Sequence, residues 1–340
     1  MIMPTAIASV IAGQDLSRSD MLNVMRCIMS GEASDAQIGG FLVGLRIKGE
    51  SIDEIVAAAT VMRELATPVQ TELNHLVDTC GTGGSGSNKF NVSTASAFVA
   101  AAAGAKVAKH GNRSASSKSG SADVLEAAGA EIMMSPVQVG RCLDSIGVGF
   151  LFAQSHHSAM KHAIGPRREL LARTIFNLLG PLTNPAGARR QLIGVYELKW
   201  VRPVAEVLKD LGSEHVMVVH SEDGLDELSI SAPSHVAELV DGEISEYVVK
   251  PEDFGLSPSP LSELVIDNSQ SSLELLKKAL NGEHEGASNI VILNAGAAIY
   301  VAGLCNSLGA GVEMAQDAIG SGLAKEKMSE FVNFTQQVAG

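Results

Sequence analysis

Between Asp78 and Gly120 the sequence gathers side chains and turns suited to holding anions. It reads Asp-Thr-Cys-Gly-Thr-Gly-Gly-Ser-Gly-Ser-Asn-Lys-Phe-Asn-Val-Ser-Thr, then an alanine-rich run, then Lys-Val-Ala-Lys-His-Gly-Asn-Arg-Ser-Ala-Ser-Ser-Lys-Ser-Gly. Backbone N–H groups of a glycine loop, and those of the helix start that follows, suit a phosphate. Gly81 to Gly86 satisfies GxGxxG, so a dinucleotide site must be weighed first. Such a site wants an acidic residue about 20 positions on for the ribose hydroxyls. Lys109-His110 stands there instead, with Arg113 beyond. A cationic strand end would also serve a 2′-phosphate, which keeps NADP open, although the hydroxyl-rich continuation is unlike it. The Walker pattern fails, because Lys89 does not follow a glycine at the required spacing. Lys109 to Ser117 then brings ammonium, guanidinium, amide and serine hydroxyls into one loop, a clamp for a second phosphate or a diphosphate. Ser116 to Ser121 lead into a further helix start with more backbone donors.

Asp226-Glu227 lies in a loop just past a candidate strand, His215–His220. Adjacent carboxylates at the carboxyl end of a strand hold Mg²⁺ beside phosphates, with water and substrate oxygens completing the shell. His156-His157 and His162 do not form a metal motif, and Cys80 reads as a packing residue rather than a nucleophile. Arg167 and Arg168 follow Pro166, and one of them suits a carboxylate, the bland alternative being a surface ion pair.

These groups need a frame that brings distant loops to one edge. The chain has 340 residues, 46% hydrophobic and 19% charged, which is ordinary for a packed globular protein. Its formal net charge of -13 disfavours nucleic acid, so a phosphate ligand needs local cations or a metal ion. Four scattered cysteines, no signal-like start and no apolar run of about 20 residues lead us to expect a cytoplasmic protein without a membrane span. Residues 1 to about 70 read as helices, with an N-cap at Ser19-Asp20, a stop at Gly31, a second helix from Ser34-Asp35 and a third from Ser51 with a capping-box Glu54. From residue 74 strands alternate with helices, the pattern of a mostly parallel sheet covered on both faces. The strands expected are Leu76–Thr79, Lys106–Lys109, Val148–Phe152, Gln191–Tyr196 and His215–His220. Shorter ones follow near Ile230, at Val236–Val240 and at Ile244–Val249, the last two joined by Asp241-Gly242. The fold class expected is α/β, with a small N-terminal helical domain (1–72, with part of 156–187 packed on it) and a large α/β domain (73–340).

The chain resembles the anthranilate phosphoribosyltransferases, which join anthranilate to phosphoribosyl diphosphate. The segments that carry this are Gly-Thr-Gly-Gly at 81–84, Asn-Val-Ser-Thr at 91–94 and Lys-His-Gly-Asn-Arg at 109–113. Ser-Ser-Lys-Ser-Gly at 116–120, His-His-Ser-Ala-Met-Lys at 156–161, the run 173–185 and Asp-Glu at 226–227 complete them. The resemblance implies a homodimer through the helical part and a Mg²⁺ ion on Ser93, Asp226 and Glu227. It assigns phosphoribosyl diphosphate to Gly81, Gly84, Asn91, Val92, Ser93, Thr94, Lys109 and Ser121. The loop of His110, Gly111, Asn112, Arg113, Ser114, Ala115, Ser116 and Ser117 would close on it. Anthranilate would lie near Gly81, His110, Asn112, His157, Arg167 and Gly180, with Arg167 facing its carboxylate. Lys109, Asn112 and Arg167 are the expected catalytic groups.

Two positions depart from the family pattern: Ser85 stands where Asp is usual, and Lys89 where Thr is frequent. Both are placed with the phosphoribosyl diphosphate, and Lys89 is expected to meet a phosphate oxygen. Rival readings are a pyrimidine nucleoside phosphorylase of the same fold and a non-catalytic nucleic-acid-binding paralogue. Lys-His-Gly-Asn-Arg and Gly-Pro-Leu-Thr-Asn-Pro weigh against the first, and the negative charge against the second.

Overall fold

The computed structural model describes residues 2–84, 86–114 and 117–339. The chain opens with four helices, α1 (Met3–Ile11), α2 (Arg18–Ser30), α3 (Asp35–Lys48) and α4 (Ile52–Leu65). Serines set their starts: the Ser34 and Ser51 side chains each accept from the backbone N–H three residues on, while Gln37 and Glu54 reach back to complete capping boxes. The cap of α2 is Ser17, not the expected Ser19-Asp20. Ser17 is extended and its Oγ accepts from Asp20 N, which places Asp20 inside the first turn.

The remainder follows as β1 (Leu76–Thr79), α5 (Val92–Ala102), β2 (Lys106–Gly111), α6 (Ser121–Ala127), α7 (Pro136–Ile146) and β3 (Val148–Phe152). Next come α8 (Ala153–His156), α9 (Lys161–Leu170), α10 (Phe176–Leu179), β4 (Arg190–Gly194), α11 (Val201–Asp210) and β5 (His215–Ser221). The hairpin β6 (Ser234–Val240) and β7 (Glu243–Val249) precedes α12 (Ser269–Leu280), α13 (Glu285–Val301), α14 (Leu308–Gly320) and α15 (Leu323–Ala339). One seven-stranded sheet results, ordered β3-β2-β1-β4-β5-β6-β7. Strands β1 to β5 run parallel, and β6 and β7 add antiparallel at one edge. The strand expected near Ile230 does not form. Serine hydroxyls take the backbone there instead: Ser229 N donates to Ser234 Oγ (3.0 Å) and Ser231 N to Ser229 Oγ (2.9 Å).

Alternation along each strand divides the core in two. Leu192, Met217 and Val219 face a cluster built with α5, α13 and α15. Ile193, Val216 and Val218 face the other way, into a cluster shared with α11 and the buried residues of α1 to α4, including Met25, Phe41 and Val61. Ala163, Ile175, Phe176, Leu178 and Leu179 join that second cluster, so the 156–187 insertion completes the helical layer over one face of the sheet. Among the described residues no helix is long and apolar enough to cross a membrane.

Candidate active site

Because β1, β2, β4 and β5 are parallel, their carboxyl ends share one edge, and the loops leaving β1, β2 and β5 meet there. The loop after β1 turns through Gly83 and Gly84 at φ 67 and 83, values that favour glycine. It delivers the chain to α5, whose Asn91 N-cap leaves the first N–H groups without a side-chain cap. Asn91 itself ties loops together: its Oδ1 accepts from Ser119 Oγ (2.8 Å) and Ser272 Oγ (2.7 Å). Val92 is buried in the sheet core, and Thr94 Oγ1 is buried with no hydrogen-bond partner among the described residues.

The loop after β5 folds back onto this turn. A Cβ on Gly194 would lie 1.5 Å from Asp226 O, so only glycine lets that backbone rest on the end of β4. Asp226 Oδ2 accepts from Gly83 N at 2.9 Å. Lys89 places its ammonium 3.2 Å from Asp226 Oδ1 and 2.8 Å from Glu227 Oε2. In this structure Lys89 therefore lies on the two carboxylates, where a phosphate oxygen was expected as its partner. Glu227 Oε2 is buried and receives no directed hydrogen bond among the described residues. Two nearly buried carboxylates held side by side, with an ammonium already seated on them, fit a hard divalent cation that takes oxygen ligands. Arg173, which sequence reasoning placed in a motif but not in the site, donates to Gly84 O and stacks 4.3 Å from the Tyr196 ring centroid. Its only signal in the sequence is a basic residue at the head of the 173–185 run.

At the end of β2, Lys109 is buried and donates to Thr79 O (2.7 Å) and Ser93 Oγ (3.2 Å). Burial pulls its pKa below the ordinary value, opposed by neighbouring Cys80 and Asp78. Beneath it, burial pushes the Asp78 carboxyl up to about 6, against the Lys109 charge and hydrogen bonds from Asn184 Nδ2 and His110 N. Asp78, Cys80 and His110 bring ligand atoms within 4.8 Å of one another. They make a poor metal seat: both Asp78 oxygens already accept, and burial pushes the Cys80 thiol far up, which also leaves it a poor nucleophile.

His110 Nδ1 donates to Gly180 O at 3.1 Å, and its ring lies 5.2 Å from that of His157. Burial pushes His110 down to about 3 and His157 to about 4, so both are neutral imidazoles at pH 7. Each has a buried Nε2 with no partner among the described residues. Arg167, on α9, stacks 5.1 Å from the Phe176 ring centroid, and Phe176 begins the short α10 whose C-cap is Gly180. Burial lowers the Arg167 pKa, and no ion pair to it occurs among the described residues. Nothing lies within 4 Å of a Cβ built on Gly180, so the space beside this turn is open. His110, His157 and Gly180 thus form one contacting group, and Arg167 approaches it through Phe176.

The remaining candidates sit on the β2–α6 loop. Asn112 is exposed, its Oδ1 accepting from Arg113 N (2.8 Å) and Gln154 Nε2 (3.4 Å). Arg113 turns its guanidinium onto Asp123 and Glu126 of α6, which leaves the loop its backbone rather than this charge. Ser114 and Ser117 pair their hydroxyls at 2.8 Å, and Ser121 Oγ donates to Asn112 O at 3.2 Å. Gly111 packs its α-carbon against Ser121 and Phe150. Gly81 lies against Asp226 Oδ2. Ser85, Ala115 and Ser116 lie outside the described residues.

A helical layer beside a mostly parallel sheet, with anion-binding loops and a carboxylate pair at one edge, defines a glycosyl transferase of two parts. Residues 4–66 match the helical bundle domain of the glycosyl transferase family, and residues 73–325 match its a/b domain. Within it the chain belongs to the anthranilate phosphoribosyltransferases. It is 61% identical over 338 residues to the anthranilate phosphoribosyltransferase of Marinomonas sp. (strain MWYL1), covering 99% of this chain and 98% of that one. Identity to the Cellvibrio japonicus enzyme is also 61%, over 340 residues and 99% of each chain. A crystal structure of the enzyme from Thermus thermophilus superposes with a TM-score of 0.92 at 42% identity, covering 97% of this chain and 99% of that chain. The Saccharomyces cerevisiae enzyme in complex with PRPP and Mg shares the fold, with a TM-score of 0.90, 24% identity and 98% of each chain covered.

Proposed function

We propose that the protein transfers the phosphoribosyl group of 5-phosphoribosyl 1-diphosphate to the amine of anthranilate, releasing diphosphate. The observation that carries this reading is the sheet edge where anion loops and a carboxylate pair adjoin a half-buried guanidinium with no carboxylate of its own among the described residues. Gly81, Gly84, Asn91 to Thr94, Lys109 and Ser121 would receive the phosphoribosyl diphosphate, and the 109–117 loop would cover it. Mg²⁺ would be held by Ser93, Asp226 and Glu227, where it neutralises charge on the diphosphate. The bond from the anomeric carbon to diphosphate breaks as the carbon–nitrogen bond forms, through an oxocarbenium-like transition state. Lys109, already aimed into the loop, adds fixed positive charge where negative charge grows on the leaving group.

Arg167 would hold the anthranilate carboxylate by a charge-assisted pair, as a guanidinium suits a planar carboxylate. The neutral His110 and His157 offer Nε2 lone pairs, and with Asn112 they would orient the amine. An aromatic amine is neutral at pH 7, so no strong base is needed to make it a nucleophile. The helical part, 1–72, would pair with a second copy to form a homodimer, the remaining residues, 73–340, forming the catalytic domain. Supporting this, Ile2, Ile11, Val43 and Ile47 of α1, its N-cap and α3 are exposed apolar side chains. The test is loss of anthranilate fluorescence on mixing protein, phosphoribosyl diphosphate and Mg²⁺. Consumption that needs all three supports the reading, and an unchanged signal at high protein concentration overturns it.

A further inference from the structure

We propose that Lys89 is a protein-borne counter-ion that occupies the cation seat between Asp226 and Glu227, so that the free protein binds a divalent metal weakly until phosphoribosyl diphosphate arrives. The proposal rests on the reading that this carboxylate pair is the metal site. Backbone pairing fixes where Lys89 stands. Phe90 N donates to Leu264 O (3.0 Å) and Ile266 N to Asn88 O (2.9 Å), and Lys89 itself bridges Val265. From that strut its ammonium reaches Asp226 Oδ1 at 3.2 Å, Glu227 Oε2 at 2.8 Å and Ser87 Oγ at 3.4 Å. The Lys89, Asp226 and Glu227 side chains are only 10%, 8% and 14% exposed, so solvent screens the contact little. Glu227 Oε2 is buried, and the ammonium 2.8 Å away is the cation it faces.

The charges explain the consequence. Two carboxylates alone carry two negative charges, and Lys89 leaves one. A divalent cation entering the seat must displace an ammonium that already neutralises half of it. Phosphoribosyl diphosphate offers that ammonium another anion, so Lys89 can move from carboxylate to diphosphate as the metal takes its place. Lys89 is thus a positioning residue that couples metal binding to substrate binding, while the metal-free protein keeps its carboxylates paired.

The experiment measures Mn²⁺ binding by electron paramagnetic resonance, with and without phosphoribosyl diphosphate, in the full-length protein and in Lys89→Thr, Lys89→Met and Lys89→Arg. Without substrate, both neutral variants are expected to bind Mn²⁺ at least about tenfold more tightly than the parent, because a like charge leaves the seat. Lys89→Arg should stay near the parent. Substrate should tighten Mn²⁺ binding in the parent by a larger factor than in the neutral variants. Equal or weaker Mn²⁺ binding by folded Lys89→Thr and Lys89→Met without substrate overturns the counter-ion proposal. No effect of phosphoribosyl diphosphate on Mn²⁺ binding in any variant would overturn the coupling to substrate and count against the functional reading, while the comparison without substrate separately tests Lys89 as the counter-ion.

Discussion

His110 and His157 should make this protein lose stability as the pH falls below neutrality, and one substitution should remove about half of their effect. Both imidazoles are buried, and their pKa values fall from 6.5 in the open chain to about 3 and about 4 when folded. Between those limits the unfolded chain binds a proton at each ring and the folded chain does not. Stability from these groups is therefore fully present above pH 6.5 and lost as the pH falls toward each folded value. Each contributes a slope of about 1.4 kcal/mol per pH unit. Asp78 acts in the opposite sense. Its carboxyl rises from 3.8 to about 6, so its stabilising contribution is full below pH 3.8 and lost as the pH rises through 6. Around pH 5 the three groups together leave a net uptake of about one proton on unfolding. His110→Asn keeps a donor for Gly180 O, which His110 Nδ1 now supplies, and removes one titrating ring. Urea unfolding at about pH 7, 6 and 5 should show a slope for this variant lower than the parent's by about 0.7 kcal/mol per pH unit between pH 7 and 6, approaching about 1.4 by pH 5. Parallel stability profiles for the two proteins would show that His110 is not held neutral by burial.

Three further outcomes follow from the site. Gly194→Ala drives a Cβ into Asp226 O, so we expect a loss of about 3 kcal/mol in chemical denaturation and a fall in Mg²⁺-dependent turnover as the 226–227 loop lifts. Arg167→Gln keeps an N–H donor but loses the charge-assisted pair, and steady-state kinetics should show KM for anthranilate up by about 10- to 100-fold with KM for phosphoribosyl diphosphate little changed. Ile47→Glu, at a side chain 82% exposed on α3, should leave the fold intact and convert the proposed dimer to monomer in sedimentation velocity at micromolar protein, the parent sedimenting as a dimer.

Much of this architecture was legible because its signals are local. Five parallel strands announced themselves as short apolar runs between glycine-punctuated helices, and the capping boxes at Ser34 and Ser51 need only residues three apart. Ser17 against Ser19 was decided by one turn of backbone, which two neighbouring serines do not distinguish in sequence. Leu228-Ser229-Ile230-Ser231 alternates like a strand, yet Ser229 N and Ser231 N donate to the Ser234 and Ser229 hydroxyls, which takes two donors that strand pairing would use. Within the site, residue types were readable and partners were not. Arg113 sits in a loop full of donors, but its charge is spent on Glu126, one helical element away.

Lys89 sharpens the same point. Its contacts lie 137 residues away on Asp226, and nothing local in Ser-Asn-Lys-Phe says whether the ammonium faces a phosphate or a carboxylate. The parallel sheet decides it, because carrying the loops of β1 and β5 to one edge also carries their charges together. A cation added to one loop is then felt first by the acids of the other, before any ligand enters. For a site whose substrate and metal carry opposite charges, such a residue changes the order in which they bind more readily than the chemistry they undergo. That is why metal binding in the absence of substrate, rather than turnover, is the quantity on which Lys89 should act most strongly.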